Sequence, residues 1–343
     1  MIDQESRLRE FAEKYGDMKS PTVIRVGDKL MSVIDGGIYQ QVQGGPYNFP
    51  NILHDHALLF FGVPYLEAEE TKSIGERHPA LQWMYRYIDH REKLIREQPD
   101  ALETDQYGFS AAWLRFAYDL YTIRDNVKLE ARLKTRLLSK KDFQGARHEL
   151  KVAALSIAAG FSIEFENEKD NTIGHAEFIG TDNLGVKIAV VAKSRHRHGV
   201  HGFEGGKILE PGSNADVRNI ILDSYKKKTS LPLYAFIDAN LPPAATSENL
   251  YAWWDEIYET MDELSKEGYA DPCPTNVLFI CNDPSHYVGD RQINNETDQL
   301  WILHFEAKNP RLPHPTMDMA ARLIRAHEQR IAPPDEIPDF NSF

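Results

Sequence analysis

The stretch Gly145–Arg197, GARHELKVAALSIAAGFSIEFENEKDNTIGHAEFIGTDNLGVKIAVVAKSRHR, changes its hydrophobic period once and then keeps the new one, which leaves few folds open to the chain. Leu150, Ala153, Ala154 and Ile157 recur at helical spacing, and Gly160 stands where a helix of that register should stop. Beyond it, Phe161, Ile163 and Phe165 alternate with Ser162, Glu164 and Glu166, the two-residue period of a half-buried strand. HAEFIG and VKIAVVAKSR are two further β-rich runs joined by TDNLG, a short polar loop ending in glycine, and they read as a hairpin. The expectation is a helix followed by three strands, 161–167, 175–180 and 186–193, that share one sheet.

Three charged residues occupy defined places in that pattern. Glu149 lies about 80° from the centre of the helix's apolar stripe at ~100° per residue, so its carboxylate sits at the border with whatever the helix packs on. Glu177 is on the first arm of the hairpin and Lys193 on the second. Strand alternation puts Val191 and Lys193 on one face and Ala192 on the other, so a carboxylate at 191 would stand beside the ammonium.

Helix acid, strand acid, then x-x-Lys on the next strand resembles the PD-(D/E)xK nuclease family, the restriction-endonuclease-like fold, over residues 140 to 310 or so. What the resemblance implies is a Mg²⁺ held by Glu177, by an acid two residues before the lysine and by the main-chain carbonyl of Ala192. Lys193 would orient the attacking water, and Glu149 matches the additional helix acid that many members carry, acting through water. Val191 occupies the place of the missing acid, and the family's Pro-Asp is Ala176-Glu177 here. The function so implied is a Mg²⁺-dependent nuclease acting on DNA, or an inactivated form of one with weak metal binding. The alternative is a non-catalytic nucleic-acid-binding or assembly protein that retains the fold. Glu306-Ala307-Lys308 is a literal ExK, but after it too little chain remains for the helix and strand that the family's core requires.

Charge bears on the nucleic-acid reading. A formal net charge of −13 works against indiscriminate binding to phosphates. Between 128 and 151, however, eight basic residues (Lys128, Arg132, Lys134, Arg136, Lys140, Lys141, Arg147, Lys151) face three acids (Glu130, Asp142, Glu149). With Lys193, Arg195, Arg197 and the run Lys226 to Lys228, this segment is a candidate groove for a phosphate backbone, with Lys140, Lys141, Arg147, Arg195 and Arg197 as its contacts. Of His196, His198 and His201 in the following Gly-rich loop, the expectation is that they face solvent or substrate.

The remaining chain frames this core. VIRVGDKLMSVIDGGIYQQV reads as a three-stranded meander, and residues 1 to 20 as a charged surface helix. GGPYNFPNILHDHALLFFGVP reads as a Gly- and Pro-punctuated segment in which His54 and His56, if extended, share one side. Two aromatic-rich helical stretches follow, with Trp83, Tyr85, Tyr87, Trp113, Phe116 and Tyr118 as core candidates. Beyond the hairpin, helices and strands alternate around one mixed sheet. The expected organisation is an α+β N-terminal domain over 1–127, a mixed α/β nuclease-like domain over 128–330 and a Pro-rich acidic tail over 331–343. Cys273 and Cys281 are too few for a disulfide framework or a four-ligand zinc site. No apolar run reaches the ~20 residues that span a bilayer, and the N-terminus lacks a secretory core, so a cytoplasmic location without a membrane partner is expected. The N-terminal domain is the expected surface for self-association or a protein partner.

Overall fold

A computed structural model describes residues 23–26, 29–34, 37–40, 49–97, 107–124, 127–166, 175–201, 209, 214–243, 247–269, 275–292, 299–304 and 315–328. The segment 1–20, Glu306, Lys308, Cys273 and the tail 331–343 lie outside these residues.

The meander forms as the turn-punctuated runs predict: β1 (Val23–Val26), β2 (Lys29–Ile34) and β3 (Gly37–Gln40) pair antiparallel in sequence order. Four helices follow, α1 (Phe49–Phe61), α2 (Val63–Glu70), α3 (Pro79–Glu97) and α4 (Gly108–Ile123). Helix α1 corrects the extended reading of His54 and His56. Leu53, Ala57 and Phe61 recur at helical spacing and are buried, and on a helix residues two apart diverge. His54 Nδ1 accepts from Trp113 Nε1 at 3.1 Å, whereas His56 is stacked edge-on to Tyr121.

Helix α5 (Ala131–Leu137) starts at Glu130, whose carboxylate caps the amide of Leu133 at 2.7 Å. Helix α6 (Phe143–Ala158) ends at Gly160, whose φ of 89° only glycine adopts without strain. The chain then enters a six-stranded sheet, β4 (Ser162–Phe165), β5 (Phe178–Thr181), β6 (Lys187–Ser194), β7 (Leu233–Asp238), β8 (Val277–Asn282) and β9 (Gln299–His304), whose spatial order equals its sequence order. Strands β6, β7 and β8 run parallel, and every other pairing is antiparallel. The parallel connections carry α7 (Arg218–Tyr225) and α8 (Ser247–Leu264), and α9 (Ser285–Val288) and α10 (Pro315–Glu328) follow.

β7 and β8 are buried along their whole length, as strands covered on both faces must be. One face, with Val190, Ala192, Tyr234, Phe236 and Phe279, packs on α6, and the other, with Ala235, Ile237, Leu278 and Ile280, packs under α7 and α8. The architecture is therefore an open mixed sheet flanked by helices. Of the aromatic core candidates, Trp83, Tyr87, Trp113, Phe116 and Tyr118 are buried, and Phe116 meets Phe143 of α6 at 5.6 Å between ring centres; Tyr85 is half-buried, its hydroxyl donating to Glu70. Helices α1 to α4 thus share one continuous core with α6 and the sheet. A second join is made by Gly108, where an added Cβ would lie 2.5 Å from the Ser285 carbonyl oxygen.

Candidate functional site

Glu177, Lys193 and Glu149 converge where β5 begins and β6 ends. The local cause is an irregularity that alternation alone does not reveal. Phe178 faces Val190 in the ladder, yet the amide of Glu177 also donates to the Val190 carbonyl at 2.9 Å, so two residues of one strand oppose one of the other. This is a β-bulge, a feature common beside functional sites. Ala176 and Ile179, three residues apart, consequently pack in one small cluster with Val191, Ala189 and Leu233, while Phe178 enters the main core. Glu177 is the extra residue.

Its carboxylate is buried, and Oε1 accepts from Lys193 Nζ at 2.6 Å. Oε2 is enclosed as well and has no hydrogen-bond partner among the described residues. Glu149, from the border of α6, is 6 % exposed and accepts from Arg136 Nη1 at 2.6 Å. Burial raises its pKa; Arg136 opposes this, and the negative charge of Glu177 adds to it. The two acids are thus electrostatic neighbours, each paired with its own cation.

A third cation reaches the same place from the other side. Lys227, just after α7, donates to the His175 carbonyl at 2.5 Å, and His175 Nδ1 lies 3.4 Å from Glu166 Oε2. Burial lowers the pKa of Lys227, and Glu177 opposes that shift. Arg136 and Lys227 were not singled out as site residues by sequence reasoning, which saw one as part of a basic helix and the other as part of a lysine run. Tertiary contact separates them from their neighbours: Lys226 and Lys228 are exposed, while Lys227 is half-buried.

The position of the absent acid is filled by hydrocarbon. Val191 has no exposed surface and lies in the small apolar cluster with Ala176, Ala189 and Leu233, which the bulge keeps apart from Glu177. Ala192 is paired with Phe236 across β6 and β7.

The candidate phosphate contacts divide. Lys141 is exposed, Lys140 donates to the Glu76 carbonyl, and Arg195 is ion-paired with Asp216 on the surface. Arg147 is instead 8 % exposed and bonds Asp283 at 2.8 Å, in an ion cluster with Arg115 at 2.8 Å and Lys151 at 3.7 Å from the same carboxylate. Arg197 donates to the carbonyls of Asn214, Ala215 and Ala239. Arg147 is thus buried in the fold, whereas Arg197 is half-buried with its guanidinium tied to main-chain carbonyls of the chain before α7 and just after β7.

The Gly-rich loop is fastened by Gln144, which donates to the Arg197 and Val200 carbonyls and accepts from the Arg197 amide and from Asn240. His201, expected to face solvent or substrate, is buried against His286 at 3.8 Å between ring centres, with its backbone at a φ of 48°.

The divalent ion implied by the sequence resemblance finds a thin donor set. Glu177 and Glu149 each have one oxygen taken by a cation, Val191 offers none, and among the described residues no group of three His, Cys, Asp or Glu side chains is arranged to hold a metal. Oε2 of Glu177 is a buried oxygen without a hydrogen-bond partner among the described residues. No helix among the described residues is long and apolar enough to cross a membrane. No family model, curated protein or solved structure matches the chain.

Proposed function

We propose that this chain is a nuclease-type protein of the PD-(D/E)xK kind in a non-cleaving form, one that holds nucleic acid, and DNA in particular, without hydrolysing it efficiently. The observation that carries the reading is the pairing of Lys193 with Glu177 at a bulged strand end, with Glu149 of α6 beside them and a buried valine two residues before the lysine. Helix α6, the antiparallel strands β4 to β6, the crossover α7 and the parallel strand β7 form the framework that such a site needs. Fold and function are separable, so the site residues and not the sheet decide between cutting and holding.

A second reading, an active Mg²⁺-dependent nuclease, is favoured by one observation: Glu177 Oε2 is buried and unbonded among the described residues, as an oxygen kept for a metal would be. The test is cleavage of plasmid and linear DNA with and without Mg²⁺ by the given chain and by Val191→Glu. The proposal expects negligible cutting by the first and Mg²⁺-dependent cutting by the second, abolished again by Glu177→Ala or Lys193→Ala. Efficient cutting by the given chain would establish the second reading. An inert Val191→Glu that still folds and binds DNA would remove the nuclease ancestry from the argument and leave a binding module.

A further inference from the structure

Around the start of β5, Glu177 is bonded to Lys193 and Glu149 to Arg136, His175 Nδ1 lies 3.4 Å from Glu166 Oε2, and Lys227 Nζ donates to the His175 carbonyl. The acids are Glu149, Glu166 and Glu177, all of which act electrostatically on Lys227. Lys227 is held there by geometry. Its amide donates to the Ser224 carbonyl at 3.2 Å, fixing the chain as it leaves α7, and its ammonium is anchored on the His175 carbonyl, two residues before Glu177. Lys226, one residue earlier, makes a surface pair with Asp223.

We propose that Lys227 is the built-in cation of this site, supplying beside Glu177 the positive charge that a divalent ion supplies in nucleases of this pattern. The inference rests on the nuclease-type reading above. Its physical basis is charge complementarity in a poorly solvated place: the buried carboxylates of Glu149 and Glu177 require nearby positive charge, and a tethered ammonium provides it without any metal. With valine at 191, Glu149 and Glu177 each have a bonded cation, Glu166 lies beside His175, and Lys227 adds a further positive charge next to them. A fourth carboxylate at 191 would leave an excess negative charge for a metal to neutralise, and the ammonium of Lys227 would then compete with that metal for Glu177. Lys227 is in this account a charge-supplying residue, and no proton transfer is assigned to it.

The experiment measures Mn²⁺ binding, by the electron paramagnetic resonance signal of free Mn²⁺, to the given chain, Lys227→Met, Val191→Glu and the double variant, with fold checked by circular dichroism. Removing the ammonium is expected to tighten Mn²⁺ binding about tenfold in both backgrounds, and adding Glu177→Gln is expected to cancel the gain. Unchanged affinity in folded Lys227→Met, or a gain that survives Glu177→Gln, overturns the proposal. If Lys227→Met does not fold, Lys227→Arg decides: a folded arginine variant supports the need for charge, and an unfolded one shows that the lysine serves packing alone. Absence of cleavage by Val191→Glu would count against the nuclease-type reading without touching this result, because the readout is metal affinity.

Discussion

The amide of Glu177 donates to the carbonyl oxygen of Val190, 2.9 Å away, although Val190 already faces Phe178 across the ladder. That one extra residue separates Glu177 from the apolar cluster of Ala176, Ile179 and Val191, and leaves its carboxylate to Lys193.

The bulge makes the cost of a glutamate at 191 measurable. Val191→Glu places a carboxylate in a fully buried nook beside Ala176, Ala189 and Leu233. An unpaired buried charge destabilises by roughly 3–5 kcal/mol. The thermal midpoint of this variant should fall well below that of the given chain in EDTA and recover in millimolar Mg²⁺ or Mn²⁺, as mass action requires of a ligand bound only by the folded state. A midpoint insensitive to divalent ions would show that no metal reaches the introduced carboxylate.

DNA binding is expected to weaken steeply as salt rises, since each neutralised phosphate releases counterions. Exposed Lys141 is the cation to change first: Lys141→Ala should lower the log–log salt slope by about 1 without altering stability. Fluorescence anisotropy of a labelled duplex across a salt series reads this directly, and a salt-independent isotherm would count against phosphate contacts.

Asp283→Ala addresses the ion cluster. Its carboxylate is 4 % exposed and is shared by Arg115, Arg147 and Lys151. Removing a buried anion from such a cluster costs roughly 3–5 kcal/mol, so urea denaturation should show a large loss. Arg147→Ala should likewise lose stability, and where it remains folded its DNA affinity should match that of the given chain.

Acidification should destabilise the fold through its buried histidines. Burial lowers His56 to about 4 and His78 to about 3 from an ordinary 6.5, and His201 and His286 lie well below it. With folded pKa values depressed, the unfolded chain binds protons first, so this contribution is complete above pH 6.5 and is lost as pH falls through 6.5 toward 4. The loss approaches about 1.4 kcal/mol per pH unit for each buried histidine. Urea midpoints at pH 7.5, 6 and 5 should fall progressively, and His78→Gln, if folded, should flatten the dependence.

The sequence by itself determined the order of elements from α6 to β6 and the alternation around β7 to β9, because hydrophobic period and glycine position are local signals. It also brought out Glu149, Glu177 and Lys193, since each is a charged residue at a fixed place in a periodic pattern. Helix α1 escaped it because Pro50 in its first turn and Gly62 just after its end read as loop punctuation, whereas burial of Leu53, Ala57 and Phe61 decided the conformation. Only the tertiary structure could select Arg136 and Lys227 from their basic neighbours, withdraw Arg147 from the surface, or tie Arg197 to main-chain carbonyls. Which face of a charged helix is covered depends on elements far away in sequence: Asp283 lies 136 residues from Arg147, and His175 lies 52 from Lys227. The bulge at Glu177 is of the same kind, since a pairing offset belongs to two strands together and to neither alone.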